Sequence, residues 1–204
     1  MIGAAKAAGA DMVKFQCYKY MHIWNHDEYR RLTKGILSKK DCMILLEHGK
    51  CVGVPVFFTP FYMEALYWLD EIDVPAFKFR HTDVNSAGMI NGALVTKKPV
   101  YISYDPEKYR YIAYSPDYMK VLYCVGKYPV SMEDIDFEYI KRPFISGFSS
   151  HLPEKDAVEA AALAVSNGAE VLEFHVCMDG DDACIEREWS IQMKTLKEIR
   201  EVVG

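Results

Sequence analysis

The sequence predicts an α/β protein in which about seven parallel strands form an incomplete (β/α)8, TIM-type barrel. Short runs rich in Val, Ile, Phe and Tyr alternate with helical patterns along nearly all of the 204 residues, which is typical of a parallel sheet with crossover helices. An open dinucleotide-binding sheet usually has a Gly-rich turn after its first strand, and this chain has none there. Polar residues instead follow nearly every strand, as they do at the C-terminal face of a barrel, where active sites are built.

The elements follow one another in a regular order. The predicted strands are 11–16, 55–61, 76–81, 99–105, 119–125, 144–150 and 171–177. The clearest helical patterns are 38–53, 63–72, 154–169 and 190–203. Residues 1–11 read as the end of a first helix, so the strand expected before it is absent. Residues 106–118 contain two prolines and several tyrosines without helical periodicity, and we expect an eroded crossover there.

Composition limits the classes of function. With 50% hydrophobic residues, 26% charged residues and a net charge of −5, the chain reads as one soluble domain spanning residues 1–204. Its scattered Lys and Arg form no basic stripe, so we expect no nucleic-acid partner. No apolar run reaches the roughly 20 residues of a membrane helix, and residues 1–15 lack a signal peptide's apolar block, so we expect a cytoplasmic protein without a membrane partner. No CxxC pair occurs among the six cysteines, and we expect all of them to be reduced thiols.

Two histidines suggest a metal site. His151 and His175 follow consecutive apolar strands, so a parallel sheet makes them neighbours. Two imidazoles can hold part of a divalent metal site while other positions stay open for water and substrate. Spacing alone nevertheless favours a pair of hydrogen-bonded structural histidines.

Two lysines suggest an anion site. Lys14 and Lys78 lie inside apolar strands, where an ammonium is costly to bury unless an anion accompanies it. A phosphate or a carboxylate is the natural partner, although either lysine alone could extend along its alkyl stem to solvent. The hydroxyls of Thr59, Ser103 and Ser149 can donate hydrogen bonds to the same anion.

Seven short motifs make the chain resemble the sialic acid synthases over nearly its whole length. In chain order they are GADMVKFQ, FFTPF, VPAFKF, KPVYIS, KYP, GFSSH and VLEFH. The resemblance implies a (β/α)8 barrel enzyme that condenses phosphoenolpyruvate with N-acetylmannosamine or a related amino-hexose. The product is a nine-carbon nonulosonic acid.

The resemblance also implies roles for individual residues. Phosphoenolpyruvate would be held by Lys14, Thr59, Lys78, Ser103 and Ser149. His151 and His175 match two metal-binding histidines, with Mn2+ the usual ion, which reverses the preference drawn from spacing. The two lysines and the two histidines would then be the catalytic residues. Gln16 and Tyr128 match residues that line the sugar side, and the family's dimers imply a homodimer.

Several positions depart from the family's pattern. The usual KIxSGE reads KFRHTD, so Arg80 and His81 replace small residues that help to shape the phosphate pocket, and Asp83 stands in place of a substrate-side glutamate. Gly126 replaces an Asn or Glu near the KYP motif. Glu186 stands for an aspartate expected near the sugar. The expected first strand is missing, as is the C-terminal antifreeze-like domain whose arginine enters a neighbouring subunit's site.

These departures leave two functions open. The chain is either a carbon–carbon bond-forming synthase or a catalytically weakened homologue that binds an anionic metabolite or acts as a scaffold for another chain. Its start inside a helix also suggests a truncated product of a longer reading frame. The missing first strand leaves strand edges unpaired, so we expect an oligomer, most simply a dimer. Because the parts named above are missing, we also expect the chain by itself to show little or no condensation, even when manganese is present.

Overall fold

Seven parallel strands form one sheet in the computed structural model, which describes residues 1–109 and 116–204. Each strand pairs with the next one along the chain. The strands are β1 (Val13–Cys17), β2 (Val56–Pro60), β3 (Phe77–Phe79), β4 (Val100–Tyr104), β5 (Met119–Tyr123), β6 (Gly147–Ser149) and β7 (Val171–Glu173). Lys14 on β1 reaches Glu173 on β7, with 2.5 Å between Nζ and Oε1. The sheet therefore curls until its first and last strands face each other, which confirms the predicted barrel-type architecture.

Helices alternate with the strands, and those whose side chains join the hydrophobic core cover the outer face of the sheet. The helices are α1 (Ile2–Ala7), α2 (Tyr29–Leu32), α3 (Lys39–Val52), α4 (Met63–Glu71), α5 (Ala87–Leu94), α6 (Ala157–Ser166) and α7 (Met193–Val203). Leu46 of α3, Leu69 of α4 and Ala160 of α6 share one hydrophobic core with Phe58 and Phe77 of the strands. Because side chains alternate along a strand, burying these phenylalanines under the helices turns their neighbours Thr59 and Lys78 to the inner face.

The sequence of α3 shows why its boundaries were predictable. Ser38 accepts a hydrogen bond from the backbone N–H of Asp41, and the Asp41 side chain accepts one from the Ser38 backbone, a reciprocal cap that starts a helix. Gly53 ends it with φ 73°, a left-handed conformation that glycine adopts without a Cβ clash.

The last predicted strand divides in two. After Glu173 the chain leaves β6, and β8 (His175–Cys177) pairs in parallel with β9 (Ser190–Gln192) in a separate two-stranded sheet. The predicted helix 190–203 accordingly begins only at Met193, because the preceding three residues are held by β8. His175 therefore lies just beyond the end of the curled sheet.

In two crossovers the described residues form no α-helix. Between β4 and β5, the described residues 105–109 and 116–118 form no helix; residues 110–115 of the predicted eroded crossover lie outside the described residues. Between β5 and β6, the described chain forms only the 3-10 turns Met132–Asp134 and Phe137–Lys141, a second irregularity that the sequence patterns did not predict. Across the described 1–109 and 116–204, no helix combines the length and apolar character needed to span a membrane.

Candidate functional site

The polar residues that were predicted for the site and lie on strands β1 to β6 share the inner face of the curled sheet. Residues paired across neighbouring parallel strands point to the same side. The register places Gln16 beside Thr59 and Ser149 beside Glu173. Phe58 pairs with Phe77, so the next residues along, Thr59 and Lys78, are also neighbours. The sheet thus brings hydroxyl, amide, ammonium and carboxylate groups from different strands to one surface.

Glu173 is the carboxylate that partners both the half-buried Lys14 and the buried Lys78. Its Oε1 lies 2.5 Å from Lys14 Nζ, and its Oε2 lies 2.9 Å from Lys78 Nζ. Ser149 Oγ donates to Oε2 at 2.9 Å, and Lys78 Nζ donates to Ser103 Oγ at 2.6 Å. The cluster contains two ammonium groups for one carboxylate.

The protonation of this cluster follows from its charges. Burial opposes the ionisation of Glu173, but Lys14 and Lys78 outweigh burial and hold the pKa of this carboxyl well below its usual range. Burial lowers the pKa of the Lys78 ammonium, and Glu173 opposes that shift. Glu173 is therefore ionised and keeps both lysine side chains in place.

Thr59 has a buried hydroxyl that lacks a partner. The residue is 1% exposed, and its Oγ1 makes no hydrogen bond to any part of the chain that the structure describes. Buried polar groups in proteins are nearly always hydrogen-bonded. The Thr59 hydroxyl beside Lys78 therefore lacks the partner that such a buried group normally has.

His151 and His175 lie side by side, with their ring centroids 5.7 Å apart. Nδ1 of His151 is 3.0 Å from the carbonyl oxygen of Val125, and Nδ1 of His175 is 2.6 Å from Oε2 of Glu186. When each Nδ1–H donates to its oxygen, Nε2 keeps the free lone pair. This is the arrangement in which proteins orient metal-binding histidines. Within 1–109 and 116–204, no group of three or more His, Cys, Asp or Glu could hold a metal ion.

Aromatic rings surround the buried histidine. Tyr128 packs against His151 with 4.1 Å between ring centroids and an angle of 39° between the ring planes, and Trp189 lies edge-on to Tyr128 at 5.5 Å. Burial lowers the pKa of His151 to about 4, so the ring is neutral at pH 7. Tyr128 itself is 46% exposed, which leaves its other side open at the mouth of the site.

Asp83, expected on the substrate side, is committed to Arg80. Its two carboxylate oxygens accept from Arg80 Nε at 2.9 Å and from Nη2 at 2.6 Å, and one also accepts from the Arg80 backbone. The guanidinium lies 3.6 Å from the centroid of the Phe61 ring, a cation–π arrangement. The guanidinium of Arg80 and the carboxylate of Asp83, two positions that depart from the family pattern, are therefore already partnered with each other.

The structure corrects the prediction that all six cysteines are reduced. Cys177 and Cys184 form a disulfide with their Cα atoms 6.2 Å apart, because the chain reverses across residues 178–183 and brings them together. The same reversal places Glu186 against His175, each two residues from one of the cysteines. The remaining cysteines are free thiols: Cys17, Cys42, Cys51 and Cys124.

Glu173 is the central site residue that the sequence patterns missed. It lies in the run EVLEFHV, two residues before His175, and a strand's alternation places these two residues on one face. An acidic residue inside an apolar strand is as costly to bury alone as a lysine. Glu173 could therefore have been predicted as the ionic partner of the two lysines, because its charge is opposite to theirs.

Comparison with known proteins agrees with the fold. A model of the NeuB family matches residues 1–203. The chain is 25% identical over 212 residues to the N,N'-diacetyllegionaminic acid synthase of Legionella pneumophila, covering 88% of this chain and 59% of that protein. It is 28% identical over 229 residues to the N-acetylneuraminate-9-phosphate synthase of Homo sapiens, covering 88% and 57%. The chain therefore spans less than two thirds of the length of these relatives.

Solved structures show the same architecture. The N-acetylneuraminic acid synthetase of Leptospira borgpetersenii, crystallised with citrate, superposes with a TM-score of 0.84 at 26% identity, covering 100% of this chain and 75% of that one. A truncated 3-deoxy-D-arabino-heptulosonate 7-phosphate synthase of Thermotoga maritima superposes with a TM-score of 0.72 at 13% identity, covering 98% and 77%. The second similarity concerns the fold alone.

Proposed function

Because this chain belongs to the NeuB family, we propose that its inner polar face binds phosphoenolpyruvate and condenses it with N-acetylmannosamine or a related amino-hexose. The product is a nonulosonic acid. The observation that carries this proposal is the cluster of Lys14, Lys78 and Glu173, which holds two cations for one carboxylate beside the unpartnered hydroxyl of Thr59. Relatives whose names describe nonulosonic acid synthases support the same reaction class.

Each polar group has a part in this reaction. Lys14 and Lys78 neutralise the carboxylate and phosphate of phosphoenolpyruvate, and the hydroxyls of Thr59, Ser103 and Ser149 donate to their oxygens. Carbon 3 of phosphoenolpyruvate bonds to the aldehyde carbon of the open-chain sugar, water adds to carbon 2, and phosphate leaves. Gln16, Tyr128 and Glu186 line the side where the sugar enters. Holding both reactants in one geometry removes much of the entropic barrier.

The histidine pair fits a divalent ion, for which we propose Mn2+. His151 and His175 present their Nε2 atoms as ligands because each Nδ1 is oriented by an oxygen of the chain. The remaining ligands would come from water and substrate. Such an ion supplies Lewis-acid polarisation of a carbonyl oxygen.

The lysines provide the test of the anion site. Titration calorimetry with phosphoenolpyruvate should show binding to the wild type and at least tenfold weaker binding to Lys14→Met and Lys78→Met, since a hydrogen bond to a charged group contributes about 1.5–3 kcal/mol. Lys120→Met is the matched control, because Lys120 pairs with the exposed Glu170. Equal affinity in all four proteins, or no nine-carbon acid by mass spectrometry after a prolonged incubation, would overturn the proposal.

The metal has its own test. Manganese should bind close to one equivalent per chain in a calorimetric titration, and the variant His151→Ala/His175→Ala should lose this binding while keeping its thermal unfolding transition. His48→Ala controls for surface histidines, since His48 is exposed on α3. Unchanged manganese affinity in the double variant would remove the metal from this site.

A weakened homologue that binds an anionic metabolite is the second candidate. It is favoured by the commitment of Asp83 to Arg80 and by the absence of a side chain at Gly126. Binding of phosphoenolpyruvate that depends on the two lysines, with no product in the same incubation, would select this candidate over the synthase.

A further inference from the structure

A short loop closed by a disulfide lies next to His175. Residues 178–183 are all exposed to solvent, and the bond between Cys177 and Cys184 joins the two ends of this loop across a separation of 7 residues. The contact between His175 and Glu186 joins the same segment of chain across 11 residues. The disulfide is therefore the inner of two successive cross-links, and the outer one orients a proposed metal ligand.

The two cross-links begin on the same strand. His175 and Cys177 are the first and last residues of β8, and the alternation of side chains along a strand places both on one face. Cys177 is 1% exposed, so the disulfide fixes Cys184 to a buried point of the strand. Without this bond, Glu186 would have to reach His175 from a longer and freer segment of chain.

The chain on either side of Glu186 is restrained in different ways. The residue after it is held by an ion pair, since Arg187 Nη2 donates to Glu154 at 2.7 Å. The hydrogen bonds that join the loop before it to other elements are exposed: Gly180 to Gln192, Lys194 to Asp179 and Arg31 to Ala183. Water competes for such groups, so each bond has a small net contribution. Breaking the disulfide would therefore leave Glu186 firmly held on one side only.

The position of the disulfide favours a reversible bond over a structural one. A short ring removes less entropy from the unfolded chain than a long ring does, so this bond contributes comparatively little to stability. A chain with a core of this size does not depend on such a bond to fold. Cys184 is half-buried at the end of the exposed loop, so a small thiol can approach it, and exposed disulfides are the labile ones.

We infer that Cys177 and Cys184 form a reversible thiol–disulfide site that regulates the histidine pair. The thiolate of a small-molecule thiol such as glutathione attacks Cys184 Sγ and breaks the S–S bond, and Cys177 leaves as a thiolate that takes up a proton. A second small-molecule thiolate then releases Cys184, which also takes up a proton, and departs in the small-molecule disulfide. Two electrons thus pass from two small-molecule thiols to the protein.

The two redox states differ in the position of Glu186. The oxidised chain holds this carboxylate against His175, and the reduced chain releases it. The consequence for a metal rests on the proposed function, whereas the thiol chemistry and the release of the loop do not.

Mass spectrometry and hydrogen exchange test the site without a metal. Mild oxidation of the purified chain should form the Cys177–Cys184 bond, and an excess of reduced glutathione should return at least about half of it to the dithiol. The backbone amides of residues 178–186 should exchange at least about tenfold faster in the reduced chain. Cys177→Ser/Cys184→Ser should exchange at the reduced rate in both buffers. Cys51→Ala, which removes an exposed free thiol, should behave as the wild type does.

Manganese calorimetry tests the connection to His175. Loss of an orienting partner weakens a metal site by about 10–100-fold, so reduction of the wild type should weaken manganese binding at least about tenfold. Glu186→Ala should bind weakly even when it is oxidised, and its reduction should change the affinity by less than about threefold, because the two changes act through one contact. Cys177→Ser/Cys184→Ser should bind equally in both buffers, which controls for manganese held by the reductant.

The outcomes separate this inference from the proposed metal site. A disulfide that does not form, that resists excess glutathione, or whose reduction unfolds the chain would overturn the reversible site. Equal manganese affinity in the two redox states would overturn the regulation of the histidine pair and leave the metal proposal standing. If amide exchange responds to reduction but neither state binds manganese, the metal proposal is overturned and the redox-sensitive loop is supported.

Discussion

Gly147 lies where β6 and β7 approach most closely. A Cβ atom there would lie 2.0 Å from the carbonyl oxygen of Val171 and 2.8 Å from its carbonyl carbon. Backbone atoms cannot move aside as a flexible side chain can, so Gly147→Ala must separate the two strands. We predict a loss of about 3 kcal/mol in the free energy of unfolding, measured by urea denaturation.

Gly3→Ala is the control for this substitution. Nothing lies within 4 Å of a Cβ at Gly3 in α1, and alanine has the higher helix propensity, so stability should rise by about 0.5 kcal/mol. If the two alanine variants were equally stable, the close approach at Gly147 would not limit the packing of β6 on β7.

Glu173 pairs with both Lys14 and Lys78, and under the proposed function it competes with the ligand anion for these two lysines. The substitution Glu173→Gln removes the carboxylate charge and leaves Lys14 and Lys78 without a counter-charge. This should lower the free energy of unfolding by about 3 kcal/mol. The same change should tighten phosphate binding, because the ligand no longer competes with a carboxylate. Chemical denaturation and phosphate titration check the two effects, with the exposed Glu170→Gln as control. Weaker phosphate binding in Glu173→Gln would show that the carboxylate assists the anion.

Much of this site was predictable because a charged side chain inside a protein must be paired with an opposite charge or with hydrogen-bonding groups. Lys14 and Lys78 stood out as cations in apolar strands, and the structure gathers both with Ser103 and Ser149. The identity of their partner was not predictable from either lysine, because Glu173 is 159 residues from Lys14 in sequence. Only the closure of the sheet brings the two side chains together.

Glu154, in the turn before α6, connects that turn to β9 and to the start of α7. Its carboxylate accepts from Thr195 Oγ1 at 2.6 Å, from Arg187 Nη2 at 2.7 Å, and from the backbone and side chain of Gln192 at 3.0 Å. These bonds tie the turn before α6 to β9 and the start of α7. Burial opposes its ionisation, but the hydrogen bonds lower the pKa of Glu154 from its usual 4.5 to about 2.

The stability that Glu154 provides should depend on pH. A carboxyl whose pKa is lower in the folded state stabilises the fold above its unfolded pKa and loses that contribution as the pH falls through its folded pKa. We predict that Glu154→Gln unfolds with about 2 kcal/mol less free energy at pH 7, and that this difference shrinks between pH 4.5 and 2. Urea denaturation at several pH values measures it. Glu198→Gln, at an exposed position on α7, should show no such difference, and a pH-independent effect of Glu154→Gln would contradict the assignment.

Sequence periodicity predicted elements well where they obey one local rule. The capped α3 and the apolar runs of β1 to β7 needed only caps and alternation. The division of the last strand at Phe174 depends on a partner, Ser190–Gln192, that was read as the beginning of a helix. Tertiary pairing overrode local propensity there, which is why the fold was predictable in class and strand order but not in this detail.

The curled sheet ends in strands β1 and β7. Within residues 1–109 and 116–204, each of these two strands has one edge that pairs with no other strand. Unpaired strand edges favour association with another chain. We predict that the purified chain forms at least a dimer, so light scattering at micromolar concentration should return at least twice the chain mass of 23.4 kDa. A monomer over the whole concentration range would show that the two edges are satisfied within one chain.

Strands β1 and β7 face each other but do not pair. This open edge, together with the departures in the site, limits the rate that we expect of the isolated 204-residue chain. The carboxylate of Asp83 is held by Arg80, and Gly126 offers no side chain to a sugar. Two lost charge-assisted contacts of about 2–3 kcal/mol each slow a reaction by about three to four powers of ten, since about 1.4 kcal/mol is tenfold. From a common enzyme rate of about 10 per second, we predict at most about 0.01 turnovers per second with phosphoenolpyruvate, N-acetylmannosamine and manganese. Phosphate release combined with mass spectrometry of the nine-carbon product measures this rate, and Lys78→Met provides the background. Turnover near one per second would show that an open sheet and a committed Asp83 are compatible with full catalysis.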